Sequence, residues 1–104
     1  MYCKPICFVT SVATAGTRVR LTTKETKVLY VSIQGKVGNT GDIYVGDSQV
    51  SATDAGMILD AGVQMELYAP VVGNGVVEIS LKDIWLDAGT GADKVFVFAL
   101  ERAD

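Results

Sequence analysis

The chain has 104 residues, of which 49% are hydrophobic, with a formal net charge of −3 and no histidine. That supports one domain with its own core, residues 1–104. The chain lacks the basic patch of a nucleic-acid binder and any apolar run near the ~20 residues that span a membrane. Without histidine, a Ser-His-Asp or Cys-His site within the chain is excluded.

The N-terminal segment MYCKPICFVT lacks the pattern of a signal peptide, so the expectation is a protein made in, and left by, a cytoplasm. Cys3 and Cys7 lie on one face of an extended segment, about 13 Å apart, beyond disulfide reach unless Lys4-Pro5 turns tightly. With no histidine and no further cysteine, no four-ligand metal set is available, and neither metal nor cofactor is expected.

Residues 3–12 alternate as a strand, with Cys7, Val9 and Ser11 against Phe8, Thr10 and Val12. Pro5 argues for an edge position or a strand start, because proline cannot donate to a ladder. A strand of the protein's own sandwich is the first reading of this segment, and an arm that adds to a neighbour's sheet is the second. Residues 17–22 alternate again, with Val19 and Leu21 inward. Residues 27–37 form the longest predicted strand, with Leu29, Val31 and Ile33 on one face and Val28, Tyr30, Ser32 and Gln34 on the other. Gly38-Asn39-Thr40-Gly41 reads as a hairpin-type loop.

Short strands follow at 42–46, 49–53 and 57–59, separated by Asp54-Ala55-Gly56 and ended by Asp60-Ala61-Gly62. Glycine is this dense only where turns need positive φ, since in a helix each would cost roughly 1 kcal/mol against alanine. Residues 63–69 alternate with Val63, Met65 and Leu67 inward. Gly73-Asn74-Gly75 turns, and residues 76–81 follow with Val77, Ile79 and Leu81 inward. Residues 84–86 make another strand, 87–93 a loop, and 94–101 the closing strand.

About nine short strands with frequent turn signals predict an all-β fold: a single antiparallel, jelly-roll-like β-sandwich. The expected core is Leu29, Val31, Ile33, Val45, Leu67, Ile79, Leu81 and Val97. The closing strand Val95-Phe96-Val97-Phe98-Ala99-Leu100 is apolar on both faces, so a loop or another subunit must cover the second one. The candidate interface is Val28, Tyr30, Phe96, Phe98 and Leu100, and self-association is expected there.

Chemistry is sparse. Carboxylate pairs could do glycosidase-type work, and the candidates are Asp42, Asp47, Asp54, Asp60, Asp83, Asp87 and Asp93. Nearly all fall in turn sequences, where aspartate hydrogen-bonds its own backbone. No calcium-loop or phosphate-loop spacing occurs. Tyr30, Tyr44, Tyr68 and Trp85 leave a carbohydrate-binding face as the alternative.

Asn39-Thr40-Gly41, Ile43-Tyr44-Val45-Gly46-Asp47-Ser48, Val50-Ser51, Gly56 and Leu59-Asp60-Ala61-Gly62 form a characteristic series. Together with Leu81-Lys82-Asp83-Ile84-Trp85-Leu86-Asp87-Ala88, it resembles a family of small all-β virion proteins of tailed bacteriophages. The resemblance covers roughly Val28 to Leu100, and Asp60-Ala61-Gly62 departs from the Pro-Gly form of that family. It implies a non-enzymatic head decoration or cementing protein, or a head-tail accessory protein. Such a protein would be made in the host cytoplasm and carried in the virion. The implied partners are the viral capsid protein and the chain itself as a homo-oligomer, with a trimer favoured. The alternative is a carbohydrate- or receptor-binding module of a phage tail or a bacterial protein.

Overall fold

The computed structural model describes residues 2–103, with Ala103 described by its backbone alone. Met1, the first residue of the N-terminal segment, lies outside the described residues, as does Asp104. The strands of the outward limb are β1 (Tyr2–Val12), β2 (Val19–Arg20), β3 (Lys27–Val28), β4 (Tyr30–Gly35) and β5 (Ile43–Gly46). The return limb holds β6 (Met57–Leu59), β7 (Gln64–Tyr68), β8 (Val71–Val72), β9 (Gly75–Val76), β10 (Ile79–Ser80), β11 (Trp85–Ala88) and β12 (Asp93–Ala103). A 3-10 turn, Leu81–Asp83, joins β10 to β11.

The pairings are nested. β1 pairs with β12, β2 with β11, β3 with β10, β4 with β7 and β5 with β6, all antiparallel. The chain is therefore one long antiparallel ribbon, out to β5 and back from β6, with β8–β9 inserted as a hairpin on the return limb. The ribbon then folds over itself, because β12 also pairs with β4 and β11 with β5. The result is two four-stranded sheets, a long one in the order β1-β12-β4-β7 and a short one in the order β2-β11-β5-β6. This is the strand order of a jelly roll, arranged as a sandwich. β3–β10 is the corner where the ribbon passes from one sheet to the other.

The core lies between the inner faces. From the long sheet come Val12, Val31, Ile33, Val95, Val97 and Ala99, and from the short sheet Ile43, Val45, Leu59, Leu86 and Ala88. Leu21, Val28 and Leu81 close the ends. Of the expected core, Val31, Ile33, Val45, Leu81 and Val97 are buried, while Leu67 and Ile79 pack partly buried against it.

Leu29 and Val28 differ from expectation for one reason. The predicted strand 27–37 breaks at a bend on Leu29, whose N–H is spent on the Leu100 carbonyl and whose carbonyl accepts from Ala69. The bend reverses the alternation, so Val28 is fully buried at the corner and Leu29 is only half-buried.

Other corrections follow from the ribbon. Gly38–Gly41 carries the chain between sheets and closes no hairpin, since β4 and β5 belong to different sheets. Residues 49–53 form a turn with a Ser51–Asp54 bridge, where a strand was expected. Val77, on the limb leaving β9, is exposed. Asp87 and Ala88 belong to β11 and Asp93 opens β12, which shortens the expected 87–93 loop. Residues 2–12 are a strand of the protein's own sheet, with β1 in unbroken register on β12 from Tyr2↔Ala103 to Val12↔Asp93. β4 ends at Gly35, where the turn after β6 crosses: an added Cβ would sit 2.5 Å from the Asp60 carbonyl oxygen.

Ile33→Ala and Leu81→Ala each remove a side chain with no exposed surface, and each is expected to cost about 2–5 kcal/mol in denaturant unfolding. Unchanged midpoints for both would contradict this core. Ala92, in the turn before β12, has a φ of 68°. Ala92→Gly is expected to stabilise by about 1 kcal/mol or less in denaturant unfolding, because a Cβ is unfavourable in the left-handed region; a loss of stability would contradict this.

Candidate functional site

The two sheets end in different outer faces. On the short sheet, the Arg20 guanidinium lies 4.6 Å over the Trp85 ring and donates to the Lys82 carbonyl at 2.9 Å. Beside it, Asp87 Oδ1 accepts from the Gly16 N–H at 3.0 Å and from its neighbour Ala88 at 2.8 Å. Trp85 is thus half-covered, and Asp87, only 4% exposed, fastens the β1–β2 loop across the sheet.

Asp93 does the same at the other end. Its two carboxylate oxygens accept from Thr40 at 3.1 Å and Gly41 at 2.8 Å. Asn39 completes the clamp by exchanging two hydrogen bonds with the Lys94 backbone. Both aspartates were expected to serve their own turns; Asp87 does so through Ala88, and both also hold a loop distant in sequence.

The long sheet is bare on its outer side. Register sets its residues in cross-strand rows: Val9–Phe96–Gln34–Gln64, Cys7–Phe98–Ser32–Glu66 and Pro5–Leu100–Tyr30–Tyr68. Val9 is 53% exposed, Phe96 41% and Phe98 43%, so no described loop lies over them. Small Cys7 and Ser32 flank Phe98, leaving a shallow apolar depression between the two phenyl rings, bordered by Val9 and Gln34.

Towards β7 the face becomes polar and aromatic. Tyr30 and Tyr68 donate to the same Glu66 oxygen at 3.0 and 2.8 Å, and Gln64 donates to the other at 3.2 Å. The tyrosine rings lie 5.1 Å apart, inclined at 55°. Tyr30 also meets Phe98 edge-on at 6.5 Å.

These contacts set the local electrostatics. Hydrogen bonds from Tyr68 and then Tyr30 hold the Glu66 carboxyl below the usual carboxylate range. The Tyr30 hydroxyl is held above its ordinary value by partial loss of water, then by Glu66's hydrogen bond and charge. Tyr68 is raised first by its hydrogen bond to Glu66.

Of the predicted interface, the structure brings Tyr30, Phe96, Phe98 and Leu100 onto one face and removes Val28 to the core. Cys7, Val9, Glu66 and Tyr68 join that face, although the sequence reading did not place them there. Alternation alone gives each strand's two faces; only the register shows which faces adjoin.

Of the carboxylate candidates, the structure pairs Asp42 with Asp60. Asp42 is held above the usual range by a hydrogen bond with Asp60, by partial burial and by Asp60's charge. The pair sits at the turns around β5 and β6, away from the apolar depression. Among the described residues, no three His, Cys, Asp or Glu side chains converge to hold a metal, and no helix is long and apolar enough to cross a membrane. No family model, curated protein or solved structure matches the chain.

The Tyr30–Glu66–Tyr68 cluster makes a pH prediction of definite sign. Glu66, lowered in the folded state, contributes stability above its unfolded pKa, and this is lost as pH falls through the folded value. The tyrosines, raised in the folded state, contribute below their ordinary value, and this is lost as pH rises through the folded one. In Glu66→Gln, late-titrating tyrosinate absorbance should move to lower pH; an unchanged titration would show that Glu66 does not hold the two hydroxyls.

Proposed function

We propose that this protein is a non-enzymatic virion component that docks on an assembled viral shell through the outer face of its long sheet and stabilises that shell as a homo-oligomer. The observation that carries the reading is the contrast between the two faces. On the short sheet a loop and the Arg20–Trp85 stack lie over the β2–β11 side, and among the described residues Ile58 of β6 alone is a large exposed apolar residue of the outer row. On the long sheet Val9, Phe96 and Phe98 stand half in water together beside Tyr30 and Leu100. Contiguous apolar surface of this kind, rimmed by polar groups such as Gln34, Gln64 and Glu66, marks an association site.

The series Asn39 to Gly62 and its resemblance to small phage virion proteins supply the partner class. Jelly rolls are also common in capsid and lectin domains, which is a fold-level analogy. Repeated sites on a shell multiply a weak contact through avidity, so no single subunit needs high affinity.

The second reading is a carbohydrate- or receptor-binding module, favoured by Tyr30, Tyr68 and Glu66 on one exposed face. It ranks second because the tyrosine rings are inclined at 55° and do not share the plane on which a sugar would stack.

The test is to add purified protein to shells assembled without it, then measure co-sedimentation and the temperature of shell disruption. Binding and a raised disruption temperature are expected, both abolished in the double variant Phe96→Thr, Phe98→Thr, which keeps strand propensity and fold. Absence of both effects with the unaltered chain would overturn the reading.

A further inference from the structure

We propose that a second copy of this chain adds its β1 antiparallel to β1, joining the two long sheets into one continuous sheet about a two-fold axis at Cys7. This rests on the self-association in the reading above and is independent of shell binding.

Backbone direction shows that this edge is open. Lys36 donates to the Lys94 carbonyl and Leu29 to that of Leu100, so the even residues of β12 aim at β4 and its odd residues aim at β1. In the β1–β12 register the odd residues of β12 face even residues of β1, such as Ile6↔Ala99 and Phe8↔Val97. The backbone groups of Cys3, Pro5, Cys7, Val9 and Ser11 therefore point away from the sheet. Among the described residues none of them takes part in the backbone hydrogen bonds between elements, and all five are exposed. Pro5, which has no N–H, falls on the outward side, where its absence costs the ladder nothing.

Proteins protect long edges with charges, prolines, bulges or covering loops, and of these the outward side of β1 carries only Pro5. This edge runs for eleven residues in unbroken register, and none of its five outward residues is charged. Lys4 is turned to Glu101 at 3.2 Å.

The occupant is indicated by self-complementarity. Cys7 is the middle residue of β1, so full-length antiparallel overlap sets Cys7 opposite Cys7, Pro5 opposite Val9 and Cys3 opposite Ser11. Each outward N–H then meets a carbonyl, except at Pro5, which forfeits one bond per copy. No like charges face each other. On the outer face, Phe98 and Cys7 of one copy continue into Cys7 and Phe98 of the other, and Val9 meets Pro5, so two apolar patches merge. Residues 2–5, exposed on the single chain, gain a neighbour along the second copy's residues 9–12. A two-fold contact closes on itself and yields dimers, in place of the trimer that the resemblance implies.

The pairing puts two Cys7 Cα atoms about 5.5 Å apart, within disulfide range, and the two Cys3 Cα atoms about 26 Å apart. The experiment uses the purified full chain in sedimentation equilibrium, together with mild oxidation read on non-reducing gels. The unaltered chain and Cys3→Ser should sediment as dimers and cross-link; Cys7→Ser should sediment as a dimer without cross-linking. Val9→Pro, which removes one outward N–H and leaves the bonds to β12 intact, should keep its circular dichroism spectrum and become monomeric.

An oligomer that does not cross-link through Cys7, or one unaffected by Val9→Pro, overturns the edge pairing and leaves self-association standing. Cross-linking through Cys3 as readily as through Cys7 indicates random collision and also overturns it. A monomeric unaltered chain overturns both, leaving shell binding to its own co-sedimentation assay.

Discussion

The molecule depends on β12, because this strand closes the ribbon and builds the core at once. It pairs with β1 on one side and β4 on the other, and its inner residues Val95, Val97 and Ala99 have almost no exposed surface. Strand pairing contributes direction and register; burial of branched side chains contributes most of the free energy, at roughly 25 cal/mol per Å² of apolar surface. The alternation that buries Val95 and Val97 must turn Phe96 and Phe98 the other way. Since those positions are also apolar, the fold leaves an unsatisfied face as a direct consequence of its central strand.

The loops are held by a different device. Asp87 and Asp93 are buried carboxylates that accept backbone N–H groups from Gly16, Thr40 and Gly41. Hydrogen bonds to a charged acceptor are stronger than those between neutral groups, and burial makes their loss costly. These two residues tie the outward limb of the ribbon to the return limb near the ends of β11 and β12. The Asn39–Lys94 exchange adds a side-chain mimic of a ladder pair at the same place. Among the described residues no comparable loop covers the long sheet's outer face, and its open flank at β1 adjoins the most apolar rows.

The fold class was legible because glycine-bearing turns and period-two alternation are local signals. Val31, Ile33 and Val97 could be placed inward from their neighbours alone. What was not legible depended on contacts distant in sequence. The bend at Leu29 is fixed by bonds to Leu100 and Ala69, so the burial of Val28 could not be read from the run Lys27 to Val37. Asp87 looked like turn chemistry because Asp-Ala-Gly is a turn sequence, and it does bond Ala88; its second partner, Gly16, lies far back in the chain. Half of the candidate face was visible in Phe96, Phe98 and Leu100. The other half, Cys7 and Val9, required the register of β1 on β12.

The long sheet has an open flank at β1, and the proposed association runs through it. Residue-resolved amide hydrogen exchange tests it most directly. In dilute protein, slow exchange is expected at Ile6, Phe8 and Thr10, which bond to β12, and fast exchange at Cys7, Val9 and Ser11, which face outward. At high concentration the outward amides should become protected while the others stay slow. Equal protection of odd and even amides in dilute protein, or no gain at the odd ones on concentration, would contradict it.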